Sequence, residues 1–293
     1  MPELPEVETV RRDLARYLIG ARFAAIKIID FKNVAPRAAF LAKSLKGAVI
    51  VAVRRRGKLL IMDLADTDKH LLFHLKMTGQ LIFIHGNQAL AGGHSLAGAS
   101  FRDAVGGELP NKFTRAIFSF VGGSQLFFND LRKFGYIKLV SGEELARILK
   151  DNYGPEPLDK EFKPSRLKQI FAKRTAPIKA VILNQKLIAG LGNIYADESL
   201  FRSGINPHRP AKSLKPAEIK ALHLAIVSII KQAIKARGTT FRNFVDSRGK
   251  KGNFLSYLQV YQRQSQPCPR CGRPLSRDKV AGRGTHYCQY CQK

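Results

Sequence analysis

The chain has 293 residues, 45% of them hydrophobic, which is enough for two ordinary domains with cores of their own plus a small appendage. Its 50 Lys and Arg outnumber 22 Asp and Glu to give +28, and these bases are spread along the whole length instead of gathered beside an amphipathic anchor, so nucleic acid is favoured over a membrane surface as the polyanionic partner. No apolar run approaches the roughly 20 residues that span a bilayer, and Met1-Pro2-Glu3-Leu4-Pro5-Glu6 lacks the basic and apolar regions of a signal peptide, so a cytosolic protein is expected.

Residues 3 to 18 place Val7, Val10, Leu14 and Leu18 on one helical face, with Glu3, Glu6 and Glu8 early, where the helix dipole favours acids. From about Arg22 to Val140 the pattern changes to short β-rich runs: Ala48 to Val53, Leu59 to Leu64, Leu81 to Ile84, Ala116 to Val121 and Gly135 to Val140. Turn residues such as Gly86 and Gly122-Gly123 separate several of them, which predicts an antiparallel sandwich or barrel-like sheet. Between Gly86 and Pro110 a Gly- and Ala-rich stretch offers few residues suited to a core and is expected to be a mobile surface loop. Gly154-Pro155-Glu156-Pro157 breaks the pattern and places a domain boundary near residue 153. Beyond it the chain reads as helical, including Pro216 to Ala236 with Ile219, Leu222, Ile226, Ile229 and Ile230 at helical spacing.

All four cysteines fall in the last 26 residues. Cys268-Pro269-Arg270-Cys271 and Cys288-Gln289-Tyr290-Cys291 form two knuckles that can present four thiolates tetrahedrally to one structural zinc ion, with no position left open for catalysis. A pair of redox dithiols is the weaker reading, since no thioredoxin-like βαβ pattern surrounds them. Between the knuckles Arg273, Arg277, Lys279 and Arg283 suit phosphate contacts. Gly190-Leu191-Gly192-Asn193 starts like a dinucleotide loop, but Tyr195 stands where the third glycine belongs. It reads instead as a helix-helix junction where backbone N–H groups and Asn193 can grip a phosphate, or as a plain tight turn. Pro2 follows the initiator Met, whose removal exposes a secondary amine able to form an iminium with a sugar aldehyde; Glu3 beside it is a candidate proton carrier.

The segments PELPEVETVRRDL at the start, HLKMTGQL at 74 to 81, NDLRKFG at 129 to 135, GPEPL at 154 to 158, AGLGNIYADESLFRSGINP at 189 to 207, LQVYQR at 258 to 263 and the terminal finger together resemble the formamidopyrimidine-DNA glycosylases over residues 2 to 293. The resemblance implies an α+β chain: an N-terminal helix on an antiparallel β-sandwich, then a helix-two-turn-helix domain and a C-terminal four-cysteine zinc ribbon. It divides the chain into a catalytic domain at 1–140, a linker at 141–158, a DNA-binding domain at 159–262 and a zinc hairpin at 263–293.

It further implies a bifunctional glycosylase and abasic-site lyase, monomeric and acting in the bacterial cytosol on double-stranded DNA that contains 8-oxoguanine or ring-opened purines. The damaged nucleotide is flipped out so that its C1′ becomes accessible. Pro2 matches the nucleophile, Glu3 the acid/base and Lys58 a catalytic lysine on a β-turn, whose charge beside Pro2 favours the free amine. His74, Asn193 and Arg283 match DNA-contacting residues, while Met77, Arg132 and Phe134 match the wedge that fills the gap left by the flipped base, Arg132 reading the opposite cytosine. Cys268, Cys271, Cys288 and Cys291 match the zinc ligands. The segment from Thr239 to Asn253, basic around Arg248-Gly249-Lys250-Lys251-Gly252, matches the loop that closes over the lesion base. The chain departs from the pattern in its long 86–110 segment, in Phe113 where a histidine often follows the lysine, and in Lys76 before Met77.

Two other readings carry different consequences. An endonuclease VIII-type glycosylase acting on oxidised pyrimidines shares fold and finger, but Leu4 and the Leu131-Arg132-Lys133-Phe134 wedge argue against it. A noncatalytic zinc-ribbon DNA-binding protein leaves the combination of Pro2, Glu3 and Lys58 unexplained.

Overall fold

The computed structural model describes residues 2–96, 100–239, 253–293 and the backbone of 244–245. The chain forms two compact units, Met1–Leu149 with Ala236–Leu255, and Lys150–Lys235 with Ser256–Lys293.

In the first unit helix α1 (Leu4–Leu18) is followed by β1 (Phe23–Ile28), β2 (Val34–Ala35), α2 (Ala38–Leu45), β3 (Ile50–Arg56), β4 (Leu59–Leu64) and β5 (Lys69–His74). Next come β6 (Gly79–His85), β7 (Gln88–His94), α3 (Phe101–Val105), β8 (Thr114–Phe120), β9 (Gln125–Asp130), β10 (Tyr136–Ser141) and α4 (Gly142–Asn152). A late two-residue strand, β11 (Phe244–Val245), completes one sheet of order β1-β8-β9-β6-β7-β11; the other runs β2-β10-β5-β4-β3. The pairings are antiparallel except β2 with β10, so the predicted antiparallel sandwich stands. Strand alternation turns Leu71, Phe73, Ile137 and Leu139 from one sheet, and Phe118 and Phe128 from the other, into a single core. Phe73 meets Phe118 at 5.5 Å and Phe128 at 6.1 Å. The predicted face of α1 joins that core through Val7, Val10, Leu14 and Leu18.

The Gly- and Ala-rich stretch is not the surface loop its composition suggested. Gln88–His94 forms β7, and Ala91, Ala104 and Val105 are buried against Ile82, Ile117 and Phe127 on the outer face of the six-stranded sheet. Small residues here serve close approach: a Cβ on Gly92 would lie 2.5 Å from Val10 Cγ2, so α1 packs directly on the strand backbone. Gln80 Nε2, Asn129 Nδ2 and Asn111 Nδ2 then tie down the carbonyls of Ala104 and Val105 at the end of α3. Residues 97–99 of that stretch lie outside the described residues.

The second unit holds α5 (Pro164–Phe171), α6 (Ile178–Leu183), α7 (Asn193–Ser203), α8 (Pro216–Lys235) and the hairpin β12 (Ser276–Val280) and β13 (Arg283–Tyr287). Ile219, Leu222, Ile226, Ile229 and Ile230 are the buried face of α8, as their spacing predicted. The units cut the chain differently from the sequence-based division: α4 occupies much of the expected 141–158 linker, and 236–255 return to the first unit. The reason is local hydrogen bonding, since Asn253 N donates to Ala236 O and Phe254 N to Gly238 O, closing both ends of the intervening segment on each other. Gly154 is required by close approach, as a Cβ there would meet Leu187 backbone carbon at 2.5 Å. No described helix is long and apolar enough to cross a membrane.

Candidate active site and nucleic-acid interface

Pro2 and Glu3 are buried at the head of α1. Glu3 is the N-cap, in a capping box with Glu6: its N–H donates to Glu6 Oε2 at 2.9 Å. The other oxygen of Glu6 accepts from Thr239 N at 2.8 Å, and a Cβ on Gly238 would press on it at 2.9 Å. One buried carboxylate thus holds both the residue next to Pro2 and the start of the 239–253 segment. Sequence patterning marks Glu6 only as a helix-dipole acid and gives no sign of this role.

Strand β3, which precedes Lys58, runs along α1 toward the same end. Arg11 Nη1 reaches Val53 O at 3.3 Å, and two residues on, Arg55 Nε reaches Glu8 Oε2 at 3.1 Å. Each step along β3 therefore moves toward the helix head, and Lys58, which follows the turn at Gly57, whose φ of 57° favours glycine, has only 5% of its surface exposed. Glu8 anchors this arrangement. Burial pushes its pKa up, but hydrogen bonds from Arg11 and Arg12 and the charge of Arg55 outweigh it and hold the carboxyl at about 2. A folded pKa below the ordinary 4.5 stabilises the fold fully above that pH, and the contribution is lost as pH falls through about 2. Glu8→Gln is accordingly expected to melt below the parent at neutral pH, the gap closing between pH 4.5 and 2 in thermal melts. A gap unchanged at the acid end would mean that Glu8 does not stabilise through its charge.

His74 follows in register, paired across the sheet with Leu59 and Tyr136. Burial, then the charges of Lys76 and Lys58, lower its pKa to about 3, so the ring is neutral at physiological pH. Lys76 N donates to Nδ1 at 3.0 Å, which assigns the proton to Nε2 and makes that nitrogen a donor.

Met77, Arg132 and Phe134, expected from the sequence to form a wedge, make one chain of contacts. Arg132 Nη1 donates to Met77 Sδ at 3.3 Å, and the Arg132 guanidinium lies 4.4 Å from the Phe134 ring centroid. Met77 is 41% and Phe134 50% exposed, so both apolar side chains face solvent on either side of Arg132. Fully buried Asp130 holds their loop: its Oδ2 accepts from Gly135 N at 2.7 Å, its Oδ1 accepts from the Thr78 hydroxyl, and Thr78 Oγ1 accepts from Arg132 N at 3.0 Å. Asp130 lies within the NDLRKFG motif, yet nothing in its spacing reveals it as the loop's scaffold.

In the second unit Asn193 opens α7 and its Nδ2 donates to Gly284 O at 2.9 Å, tying the helix start to the residue after Arg283. Arg283 is exposed, at the base of the two-residue turn Ala281-Gly282, which uses positive φ at both positions. Under the hairpin Lys179 and Asp197 form a fully buried ion pair at 2.6 Å. Lys179 Nζ also donates to Gly284 O and Thr285 Oγ1, and Asp197 accepts from His286 N, each at 2.9 Å. Gln185 orders the glycine junction, its Oε1 accepting from Gly190 N and its Nε2 donating to Leu191 O. The LQVYQR segment is held by Glu198, whose carboxylate accepts from the N–H groups of Gln259, Val260 and Tyr261.

The four cysteines converge as expected, all Sγ atoms within 4.8 Å of one another. Four thiols from two knuckles fit one structural zinc ion. Arg248 to Gly252, expected to belong to the loop that closes over the lesion base, lie outside the described residues; within the 239–253 segment the described Phe244 and Val245 pair with His94 and Gly93 of β7.

Residues 1–137 match the formamidopyrimidine-DNA glycosylase N-terminal domain, 153–245 the H2TH domain of the same enzymes, and 265–293 the zinc finger found in FPG and IleRS. The chain is 40% identical over 296 residues to the formamidopyrimidine-DNA glycosylase of Pelotomaculum thermopropionicum, covering 100% of this chain and 99% of the relative. Against that of Enterococcus faecalis the identity is 38%, over 100% and 98% of the two chains. Among solved structures, a Lactococcus lactis FPG variant in complex with DNA containing Fapy-dG superposes with a TM-score of 0.87 at 35% identity over the full length of both chains. The wild-type Lactococcus lactis enzyme with DNA containing an oxidised pyrimidine gives 0.85 at 35% identity, again over 100% of each chain.

Proposed function

This chain belongs to the formamidopyrimidine-DNA glycosylase family, and from that premise we propose that it excises oxidised purines, 8-oxoguanine and formamidopyrimidines, through a Schiff base at Pro2 and then cuts the abasic strand by β,δ-elimination. What supports the reading is the burial of Pro2 and Glu3 at the head of α1, toward which β3 runs before the turn that leads into buried Lys58. With Met1 removed, the Pro2 nitrogen lone pair attacks C1′ and the C1′–N9 bond breaks, the base leaving with its electron pair and taking a proton. Glu3 delivers a proton to O4′ as the sugar opens, giving the iminium. Loss of a C2′ proton expels the 3′ phosphate, a second elimination expels the 5′ phosphate, and water releases Pro2. Lys58 as a neighbouring cation favours the unprotonated amine.

The wedge of Met77, Arg132 and Phe134 fills the space of the flipped nucleotide, and Arg132 donates to the acceptors of the opposite cytosine. His74 Nε2, Asn193 and Arg283 bind backbone phosphates, and a bound zinc ion keeps the Arg283 hairpin rigid. The protein works as a monomer, since one lesion needs one pocket.

Borohydride trapping tests the reading, on duplexes carrying 8-oxoguanine opposite cytosine or thymine glycol opposite adenine. The expected result is a covalent adduct chiefly on the purine duplex, reduced at least about 100-fold in Pro2→Gly because the acyclic amine is no longer held in line with C1′. A dominant adduct on thymine glycol would move the specificity to oxidised pyrimidines, and salt-sensitive binding with no adduct on either duplex would overturn the enzymatic reading.

A further inference from the structure

Strand β7 runs along α1 toward its head. Leu90 pairs with Phe83, whose ring lies 5.3 Å from that of Tyr17, and two residues on, a Cβ at Gly92 would meet Val10 Cγ2 at 2.5 Å. The strand ends two residues later at His94, about 7 Å of extended chain beyond Gly92 in the direction of Glu6 and Glu3. A second connection leads the same way: His94 pairs with Phe244, five residues after Thr239, and Thr239 N donates to the Glu6 carboxylate that also holds Glu3 N. Burial, then the positive charge of the chain's amino terminus, lower the pKa of His94 from its ordinary 6.5 against the opposing carboxylate of Asp130, so the ring is neutral at physiological pH. The amine exposed when Met1 is removed lies one residue along the chain from that charge. Among the described residues neither ring nitrogen of His94 has a hydrogen-bond partner, whereas Nδ1 of neutral His74 already accepts from Lys76 N. With Thr78 and Gln80, His94 lines a cavity of about 10 Å³, the space of a single water molecule.

The proposed reaction leaves one proton without a carrier. When the Pro2 lone pair bonds to C1′, the nitrogen holds four bonds, one of them to hydrogen, and a positive charge. Only when that N–H bond gives up its proton does the nitrogen regain the pair that expels O4′ and forms the iminium. Glu3 is committed to the proton that O4′ takes, and Lys58, as a cation, has no pair to offer. We infer that His94 is the base: its free ring nitrogen accepts the proton from the Pro2 nitrogen, the N–H electrons return to that nitrogen, and the imidazolium passes the proton to solvent. The inference rests on Pro2 being the nucleophile. A neutral imidazole suits the task, because an ammonium nitrogen bonded to a carbon that also bears oxygen is more acidic than a free ammonium and yields its proton to a base of moderate strength.

The test follows covalent adduct formation in single turnover with cyanoborohydride present, on duplexes carrying 8-oxoguanine or an abasic site opposite cytosine. It compares the full-length zinc-loaded protein with His94→Ala and His94→Gln, neither of which alters the backbone pairing with Phe244. Adduct formation is expected to slow about 100-fold in both variants and on both duplexes, because each substrate requires the same proton to leave nitrogen. Affinity for a duplex with a tetrahydrofuran abasic analogue should stay at the parent's value. Added imidazole should raise the rate of His94→Ala at least about tenfold and leave the parent unchanged. Parent-like rates in both variants would return the transfer to Glu3 and overturn the assignment. Slowing confined to 8-oxoguanine overturns it by making His94 a reader of the base, weakened binding by making it a DNA contact, and slowing that imidazole does not relieve by making it a prop for the end of β7. Absence of an adduct in the parent itself would overturn the Pro2 reading and this inference with it, whereas equal trapping by parent and variants overturns the inference alone.

Discussion

Glu3→Gln is expected to keep the fold and lose the reaction. The change retains side-chain size and polarity and leaves the backbone limb of the capping box, Glu3 N to Glu6 Oε2, in place. Helix α1 also keeps Val7, Val10, Leu14 and Leu18 in the core, so stability should move by less than about 1 kcal/mol. What an amide cannot do is carry a proton. Sugar opening and the eliminations each need a proton moved at an atom beside C1′, and general acid–base catalysis of this kind contributes about 10²- to 10⁴-fold. Single-turnover strand cleavage of DNA containing 8-oxoguanine should fall by that factor with duplex affinity unchanged. A fall in melting temperature and affinity together would assign Glu3 a structural role instead, and full activity would remove it from the mechanism.

The separation between what Glu3 does for the helix and what it is expected to do for the chemistry illustrates which features were legible in the sequence. Periodicity exposed the buried faces of α1 and α8, because amphipathic helices repeat every 3.6 residues whatever surrounds them. The zinc knuckles were legible because tetrahedral thiolates impose a spacing. Composition failed at β7 and α3, where glycine and alanine looked like loop but serve close packing against Val10 and the outer sheet face. The supporting carboxylates failed to announce themselves for a different reason. Glu6, Asp130 and Glu198 act on backbone N–H groups at Thr239, Gly135 and Val260, and a hydrogen bond to a backbone donor leaves no pattern in residue identity. The same holds for Lys179 and Asp197, which read as ordinary helix charges until the hairpin is folded over them.

That buried pair makes zinc loss the more consequential test. The hairpin β12–β13 is a two-stranded sheet beside a small cluster of Phe201, Val260, Leu275, Cys268 and Cys288, and an isolated hairpin is marginal in water. Structural zinc contributes about 10 to 16 kcal/mol of apparent binding energy to small domains of this kind, so chelation or Cys288→Ser should unfold the hairpin. The loss would not stay local. Lys179 would lose Gly284 O and Thr285 Oγ1, Asp197 would lose His286 N–H, and the pair would remain between α6 and α7 with fewer partners. A buried pair robbed of compensation costs about 3 to 5 kcal/mol in the limit where one charge is left alone, enough to lower the melting temperature of the helical unit as well. Hydrogen exchange should show β12 and β13 amides becoming unprotected first and α7 amides exchanging faster, with duplex affinity falling as Arg283 loses its position. Hairpin amides that keep their protection after chelation would show that the fold carries Arg283 without metal. If the hairpin unfolds but α7 is unaffected, the coupling through Lys179 and Asp197 is refuted while the metal's own role stands.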